Sequence, residues 1–255
     1  MIHPPTRFSS AMLQQPRHTI GEHDVHVWHL CADDVPDLAP LHALLSMEEA
    51  SRMARYGQER DRLLFLLSRA MMRTVLASYL ECKVVDIRFS ANAQGKPILH
   101  ADHGVPPLHF NLTHSRGVVA LAVSDGREVG IDIEERHRVV EYLQLAKRFF
   151  SADEARHLRQ LPPEHLGEAF FAIWTLKEAF VKGIGRGLTF PLDAFCFDLE
   201  IDRFVRFRPL ADFVSPDWQF TQFDLGDSHR GALAVQSPAG DALMIEMRDW
   251  ATVFV

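Results

Sequence analysis

The chain matches itself. SMEEA at 46–50 is answered by SADEA at 151–155, an offset of 105 residues. The same offset, without a gap, sets VHVWHL (25–30) on GIDIEE (130–135) and RLLFLLSRAMMRTVL (62–76) on GEAFFAIWTLKEAFV (167–181). Ser46 and Ser151 each open a Ser-x-x-Glu capping box, in which the serine accepts from the third helical N–H and the glutamate reaches back. Both halves then read strand, capped helix, long helix, strands. Such a chain is restricted to two similar α+β subdomains related by a pseudo-twofold, with one cleft between them as the natural ligand site. Later strands are expected at 84–90 and 107–113 in the first half. In the second they are expected at 194–200, 203–207, 218–225, 231–236 and 242–247, on runs rich in Phe and Val with short polar turns. The run from Val118 enters the turn DGRE, which puts the seam near 126 and gives subdomains 1–126 and 127–255.

Composition narrows the function classes. With 47% hydrophobic residues in 255, the chain can bury a real core. A formal charge of −7 opposes non-specific binding to nucleic acid, whose affinity rests on Lys and Arg neutralising phosphates. The three cysteines, Cys31, Cys82 and Cys196, have no paired spacing, so neither a disulfide framework nor a zinc site is suggested. The first twenty residues lack the apolar stretch of a signal peptide, and no run reads as long enough to span a bilayer; a cytoplasmic protein without a membrane partner is expected. Charge is uneven, however. Between 136 and 160, Arg136, Arg138, Lys147, Arg148, Arg156 and Arg159 outnumber Glu141, Asp153 and Glu154, so a small acidic partner can be steered there; a solvated face of mixed charge is the alternative.

Residues able to do chemistry fall in four stretches. In VGIDIE, alternation along a strand puts Val129, Ile131 and Ile133 on one face and Gly130, Asp132 and Glu134 on the other. Two parallel carboxylates suit Mg²⁺, although an edge strand with a wet face has the same pattern. In the helix at 170–185, Trp174, Glu178 and Lys182 share one stripe with Phe171, opposite the apolar Ala169, Ile173, Leu176 and Phe180. A surface Glu–Lys pair at this spacing explains the charges, but not the two aromatic residues beside them. Lys96 stands between Gly95 and Pro97 at a strand entry, and Asn111, Thr113 and His114 close a period-2 strand. Ammonium, hydroxyl and imidazole are suitable phosphate donors.

Together these stretches resemble the 4'-phosphopantetheinyl transferases, in particular the larger pseudodimeric Sfp-like type. The specific parts are G-I-D-I-E at 130–134 and W-x-x-K-E-A-x-x-K from Trp174 to Lys182; G-K-P at 95–97 and F-N-L-T-H-S at 110–115 support them. The resemblance implies transfer of the 4'-phosphopantetheine arm of coenzyme A to a serine of an acidic acyl or peptidyl carrier protein, with release of 3',5'-ADP. It implies Asp132, Glu134 and Glu178 as ligands of Mg²⁺, with Mn²⁺ as the other possibility. It implies Glu178 as base for the carrier serine, Lys182 on the phosphates, and Arg52, Lys96, Thr113 and His114 on the nucleotide and its 3'-phosphate. Thr113 stands where many relatives carry Ser, keeping the hydroxyl. A monomer is expected, since an internal duplication reduces the need to dimerise. Two alternatives stay open: a metal-dependent phosphodiesterase or nuclease using Asp132, Glu178 and Lys182, and an inactive module that binds coenzyme A or the carrier.

Overall fold

A computed structural model describes residues 17–35, 37–103, 108–199, 205–212, 214–215 and 217–254. The first half runs β1 (Asp24–Cys31), α1 (Ala39–His42), α2 (Met47–Met53), α3 (Glu59–Leu80), β2 (Phe89–Ala91), β3 (Pro97–Leu99), β4 (Leu108–Ser115) and β5 (Val118–Asp125). The second runs β6 (Val129–Glu135), α4 (Tyr142–Phe149), α5 (Ala152–Gln160), α6 (Pro163–Gly183), β7 (Phe195–Leu199), β8 (Val205–Pro209), β9 (Trp218–Leu225) and β10 (His229–Gln236), before a last strand β11 (Met244–Asp249). The sheets have the order β11-β1-β5-β4 and β6-β10-β9, with β2–β3 and β7–β8 as separate hairpins. Without β11 the two orders correspond strand for strand, as the duplication requires.

The register of that duplication differs from the expected one at its first strand. Val25 and Val27 share an apolar layer with Val129, Ile131 and Ile133, whereas Trp28 and Leu30 belong to the core under α3. Trp28 is therefore the counterpart of Asp132, an offset of 104 (132 − 28) rather than 105. A one-residue slip exchanges the faces of a strand, and the ungapped comparison makes that error. Three further expectations change. The strand expected at 84–90 begins instead as a 3₁₀ turn, Val84–Asp86, and is extended only from Phe89. The strand expected at 242–247 does not join the second half: β11 pairs in parallel with β1, where β1 offers a free edge. Helix α3 is long and apolar enough to cross a membrane, against the expectation that no segment is, but 78% of its most apolar window is buried inside the fold. The first sixteen residues and part of the expected strand at 203–207 lie outside the described residues.

Both capping boxes form. Glu49 N–H donates to Ser46 Oγ (3.2 Å) and Ser46 N–H to Glu49 Oε2 (2.9 Å), with the same pair of bonds between Ser151 and Glu154 at 3.3 and 2.9 Å. Each glutamate also takes a cation from its long helix: Arg73 Nε lies 2.7 Å from Glu49, and Lys177 Nζ lies 2.9 Å from Glu154. The second pair is sealed. Lys177 is 0% exposed, donates to the carbonyls of Leu192 and Phe195 at 2.7 Å each, and sits 4.4 Å from the centroid of the Phe195 ring. Glu154 Oε1 accepts from Phe197 N–H at 3.0 Å. All three lysine donors and both glutamate oxygens are thus engaged, the condition under which a buried ion pair is tolerable. Removing the lysine alone strands a buried carboxylate, so Lys177→Met should cost about 3–5 kcal/mol. In denaturant titrations the double change Lys177→Met/Glu154→Gln should cost less than Lys177→Met alone; equal or greater loss would show that the charges are not what couples the two.

Candidate active site

Strand β6 and helix α6 meet without side chains between them. A Cβ on Gly130 would lie 2.0 Å from the carbonyl oxygen of Ala179 and 2.3 Å from the nitrogen of Gly183, and one on Gly183 would strike the Trp218 ring at 2.7 Å. The helix therefore rests directly on the strand, with the face of Gly130, Asp132 and Glu134 turned toward it. That contact brings Lys182 to Asp132, Nζ to Oδ1 at 2.6 Å.

The first half closes the other flank. Three alternate residues of β4 reach across to β6: Asn111 Oδ1 accepts from Ile131 N–H (2.9 Å), Thr113 Oγ1 donates to Asp132 Oδ1 (3.2 Å), and Ser115 Oγ donates to Glu134 Oε2 (3.4 Å). Lys182 also donates to Thr113 Oγ1 at 3.1 Å. Thr113 thus lies at the seam, bound to the acidic strand, while its neighbour His114 faces outward. The Asn-x-Thr-x-Ser alternation was visible in the sequence, and Asn111 and Ser115 are the two site residues whose role sequence reasoning missed.

Asp132 is 5% exposed, and its Oδ2 is buried with no hydrogen-bond partner. Burial raises its carboxyl above the usual range against the pull of Lys182. Glu134 is raised by burial and then by Asp132, with Arg138, 3.1 Å away, opposing. Glu178 is pushed up to about 6 by burial first and by Asp132 next; Lys182 counters and Glu134 adds to the rise. The three carboxylates of the expected metal set therefore feel one another's charge. Among the described residues, no three acidic, histidine or cysteine side chains stand in a ready-made cage. The donor set nevertheless fits a hard divalent cation: oxygen ligands, an unpartnered buried carboxylate oxygen and mutual repulsion that a cation relieves.

Hollows flank this junction on both halves. Glu178 opens on one of about 380 Å³, lined by Arg148, Phe149, Trp174 and Pro191. Trp174 stacks on Phe170 (5.6 Å between centroids) and meets Phe149 edge-on (6.0 Å), so the aromatic part of the stripe packs against α4. On the first half, Arg52 and His114 line a common hollow of about 230 Å³ with Tyr56 and Arg69. Partial desolvation and then Lys182 lower the His114 imidazole below its usual value, which keeps it neutral near pH 7. Arg52 lies over the Phe65 ring and also borders a larger hollow of about 600 Å³ with Arg69, Arg73 and Arg88. Lys96, expected on the nucleotide, has its contacts within the protein. Its Nζ donates to Glu128 Oε2 (3.1 Å), Val129 O (3.4 Å) and Gly183 O (3.0 Å), under the end of α6.

The known proteins that this chain matches fall in one family. A family model described as the 4'-phosphopantetheinyl transferase superfamily matches residues 128–235, and one described as 4'-phosphopantetheinyl transferase, N-terminal, matches residues 33–126. The chain is similar to the 4'-phosphopantetheinyl transferase HetI of Nostoc, 36% identical over 221 residues, covering 86% of this chain and 91% of that protein. It is similar to the 4'-phosphopantetheinyl transferase Sfp of Bacillus subtilis, 31% identical over 196 residues, covering 77% and 84%. The human L-aminoadipate-semialdehyde dehydrogenase-phosphopantetheinyl transferase is 30% identical over 208 residues, covering 76% and 67%.

The shift on Glu178 has a sign that can be checked. An acid whose folded pKa is raised stabilises the fold below its unfolded value, here 4.5, and loses that contribution as pH rises through about 6. In chelator, Glu178→Gln should therefore stabilise the protein by roughly 1–2 kcal/mol at pH 7.5, with the gain fading toward pH 4.5. Thermal unfolding at several pH values reads this; a gain that does not depend on pH would mean the carboxyl is not strained.

Proposed function

The chain belongs to the 4'-phosphopantetheinyl transferases, and we propose that in its cleft Glu178 is the base, Lys182 and Asp132 balance charge, and the first half holds the nucleotide. The reaction of the family moves the phosphopantetheine arm of coenzyme A onto a serine of a carrier protein and leaves 3',5'-ADP. Membership removes the ground for the phosphodiesterase alternative. Asp132, Glu178 and Lys182 are all present, against the inactive module.

The observation that carries the assignment of roles is the buried Asp132, its Oδ2 without a partner, beside Lys182 and electrostatically coupled to Glu178. The serine oxygen forms a bond to the phosphorus that carries pantetheine, the bond to the bridging oxygen breaks, and the serine proton goes to the Glu178 carboxylate. A base with a raised pKa is better matched to a hydroxyl proton than an ordinary carboxylate and is still mostly ionised above pH 7. Lys182 has three donors, two of them on Asp132 and Thr113, and the third is available to an oxygen of the pyrophosphate. Thr113 fixes Asp132, and Arg52 and His114, in one hollow, are placed to meet the nucleotide end. Asp132, Glu134 and Glu178 would hold Mg²⁺ or Mn²⁺, which when bound neutralises charge on the pyrophosphate.

For the carrier we propose an acidic surface that docks on α4. Arg136, Arg138 and Arg156 of the basic stretch pair with Asp224, Glu134 and Asp153. Lys147 and Arg148 are exposed on α4, near Leu143 and the 87%-exposed Val139. Two cations beside apolar contacts suit an acidic amphipathic helix. A monomer in the cytoplasm belongs to the same reading, since β4 and β6 already join the halves within one chain.

Mass spectrometry of an apo carrier incubated with coenzyme A and Mg²⁺ should show the added arm, and chelator should prevent it. Glu178→Gln should lower the rate at least about 10²-fold while the protein stays folded; a variant as active as the parent would refute the base assignment. Lys147→Glu/Arg148→Glu should raise the carrier KM about 3–10-fold and flatten its salt dependence. Unchanged kinetics in that pair would return α4 to solvent.

A further inference from the structure

The geometry points to Lys96 as a positioning residue that sets the catalytic strand and helix against each other, rather than a ligand of the nucleotide. The inference rests on the transferase reading and deepens it. Lys96 comes from the β2–β3 hairpin of the first half, yet all three of its Nζ contacts are in the second half. Val129 opens β6, three residues before Asp132, with Glu128 just ahead of it, and Gly183 follows Lys182 at the end of α6. One ammonium thus joins the start of the strand that carries two acidic groups to the end of the helix that carries Glu178 and Lys182. It does so where helix and strand touch backbone to backbone. The bond to Gly183 O also places a positive charge at a helix C-terminus, where an unpaired carbonyl and the helix dipole favour it.

The rest of the turn makes the same grip. Asn92 Oδ1 accepts from Lys96 N–H at 2.9 Å and from Gln94 N–H at 3.0 Å, which holds the turn rigid. Asn92 Nδ2 then donates to Gly185 O at 3.0 Å. Gly185 has φ +66, and a Cβ there would lie 2.9 Å from Asn92 Nδ2 and 3.5 Å from Lys96 Cδ. The loop leaving α6 is therefore shaped to receive the hairpin. The Lys96 side chain is 12% exposed and its three donors are engaged, so none is left for a phosphate oxygen. A ligand would have to break two carbonyl bonds and an ion pair to recruit it. Freed of Lys96, the end of α6 loses its tie to the start of β6, and a misplacement of about 1 Å in reacting groups costs up to ~10²-fold in rate.

The test separates position from binding. With carrier saturating, initial rates are measured against coenzyme A and against its 3'-dephospho analogue for the parent, Lys96→Met, Lys96→Arg and Glu128→Gln. The expected result for Lys96→Met is a kcat lower by about 10–100-fold for both substrates with KM little changed. Lys96→Arg should recover part of the loss. Glu128→Gln, which keeps the carbonyl bonds, should lose less than tenfold. Hydrogen exchange at Ile184 and Gly185 should quicken in Lys96→Met while coenzyme A binding by calorimetry stays unchanged. A rise in KM for coenzyme A but not for the dephospho analogue would make Lys96 a phosphate ligand and overturn the inference. So would a normal kcat in a folded Lys96→Met. A parent protein that modifies no carrier would instead overturn the transferase reading, an outcome distinct from both.

Discussion

Helix α6 can lie on strand β6 only because Gly130, at the crossing, has no side chain. The approach of Lys182 to Asp132 follows from that contact. A methyl group on Gly130 would overlap the backbone of Ala179 and Gly183, and backbone cannot be moved aside as the tip of a flexible side chain can. With the two elements in touch, Lys182 reaches a carboxylate that is otherwise buried. Glu178, one turn earlier on the same helix, comes under the influence of that carboxylate and is raised with it. The site stores electrostatic strain that a backbone crossing, tied by Lys96, holds in place.

The two halves use the same parts to different ends. In each, a capping-box glutamate receives a cation from the long helix, but Arg73 supplies it in the first half and Lys177 in the second. Those positions differ by 104, as do Trp28 and Asp132 in the strands beside them. At the position where the second half buries Asp132, the first has the indole of Trp28, packed on the core under α3. Beside β6 lies β4, bridged by three polar side chains; beside β1 lies β11, joined by a backbone ladder. The duplication therefore yields one reactive seam, because the edge equivalent to that seam is closed by a strand that has no counterpart.

Much of this was legible in the residues. The capping boxes, the long helices, the acidic strand and the face it shares with Gly130 could all be read from periodicity and punctuation, because each is a local property. What was not legible depended on distant partners. The exact offset between β1 and β6 turns on which face meets the other sheet, and an ungapped comparison contains no such information. The destination of Lys96 required knowing that a hairpin in one half overlies the end of a helix in the other. In the sequence Lys177 is only the first lysine of the W-x-x-K-E-A-x-x-K signature, with no role attached. Only the fold shows it 0% exposed, with Glu154 serving as both cap and counter-ion. The last strand was assigned to the nearer sheet because sequential strands usually neighbour one another, and here tertiary demand overrode that tendency.

The parallel pairing of β11 with β1 has a consequence for how the molecule comes into being. During synthesis at about 5–20 residues per second, β1 emerges early, but β11, which completes its sheet, follows only after β6 to β10 have been made, a delay on the order of tens of seconds. Throughout that interval the nascent first half displays an open row of backbone donors and acceptors, the kind of border on which foreign strands assemble. The arrival of β11, and not that of the seam, is the moment at which the amino-terminal half becomes whole.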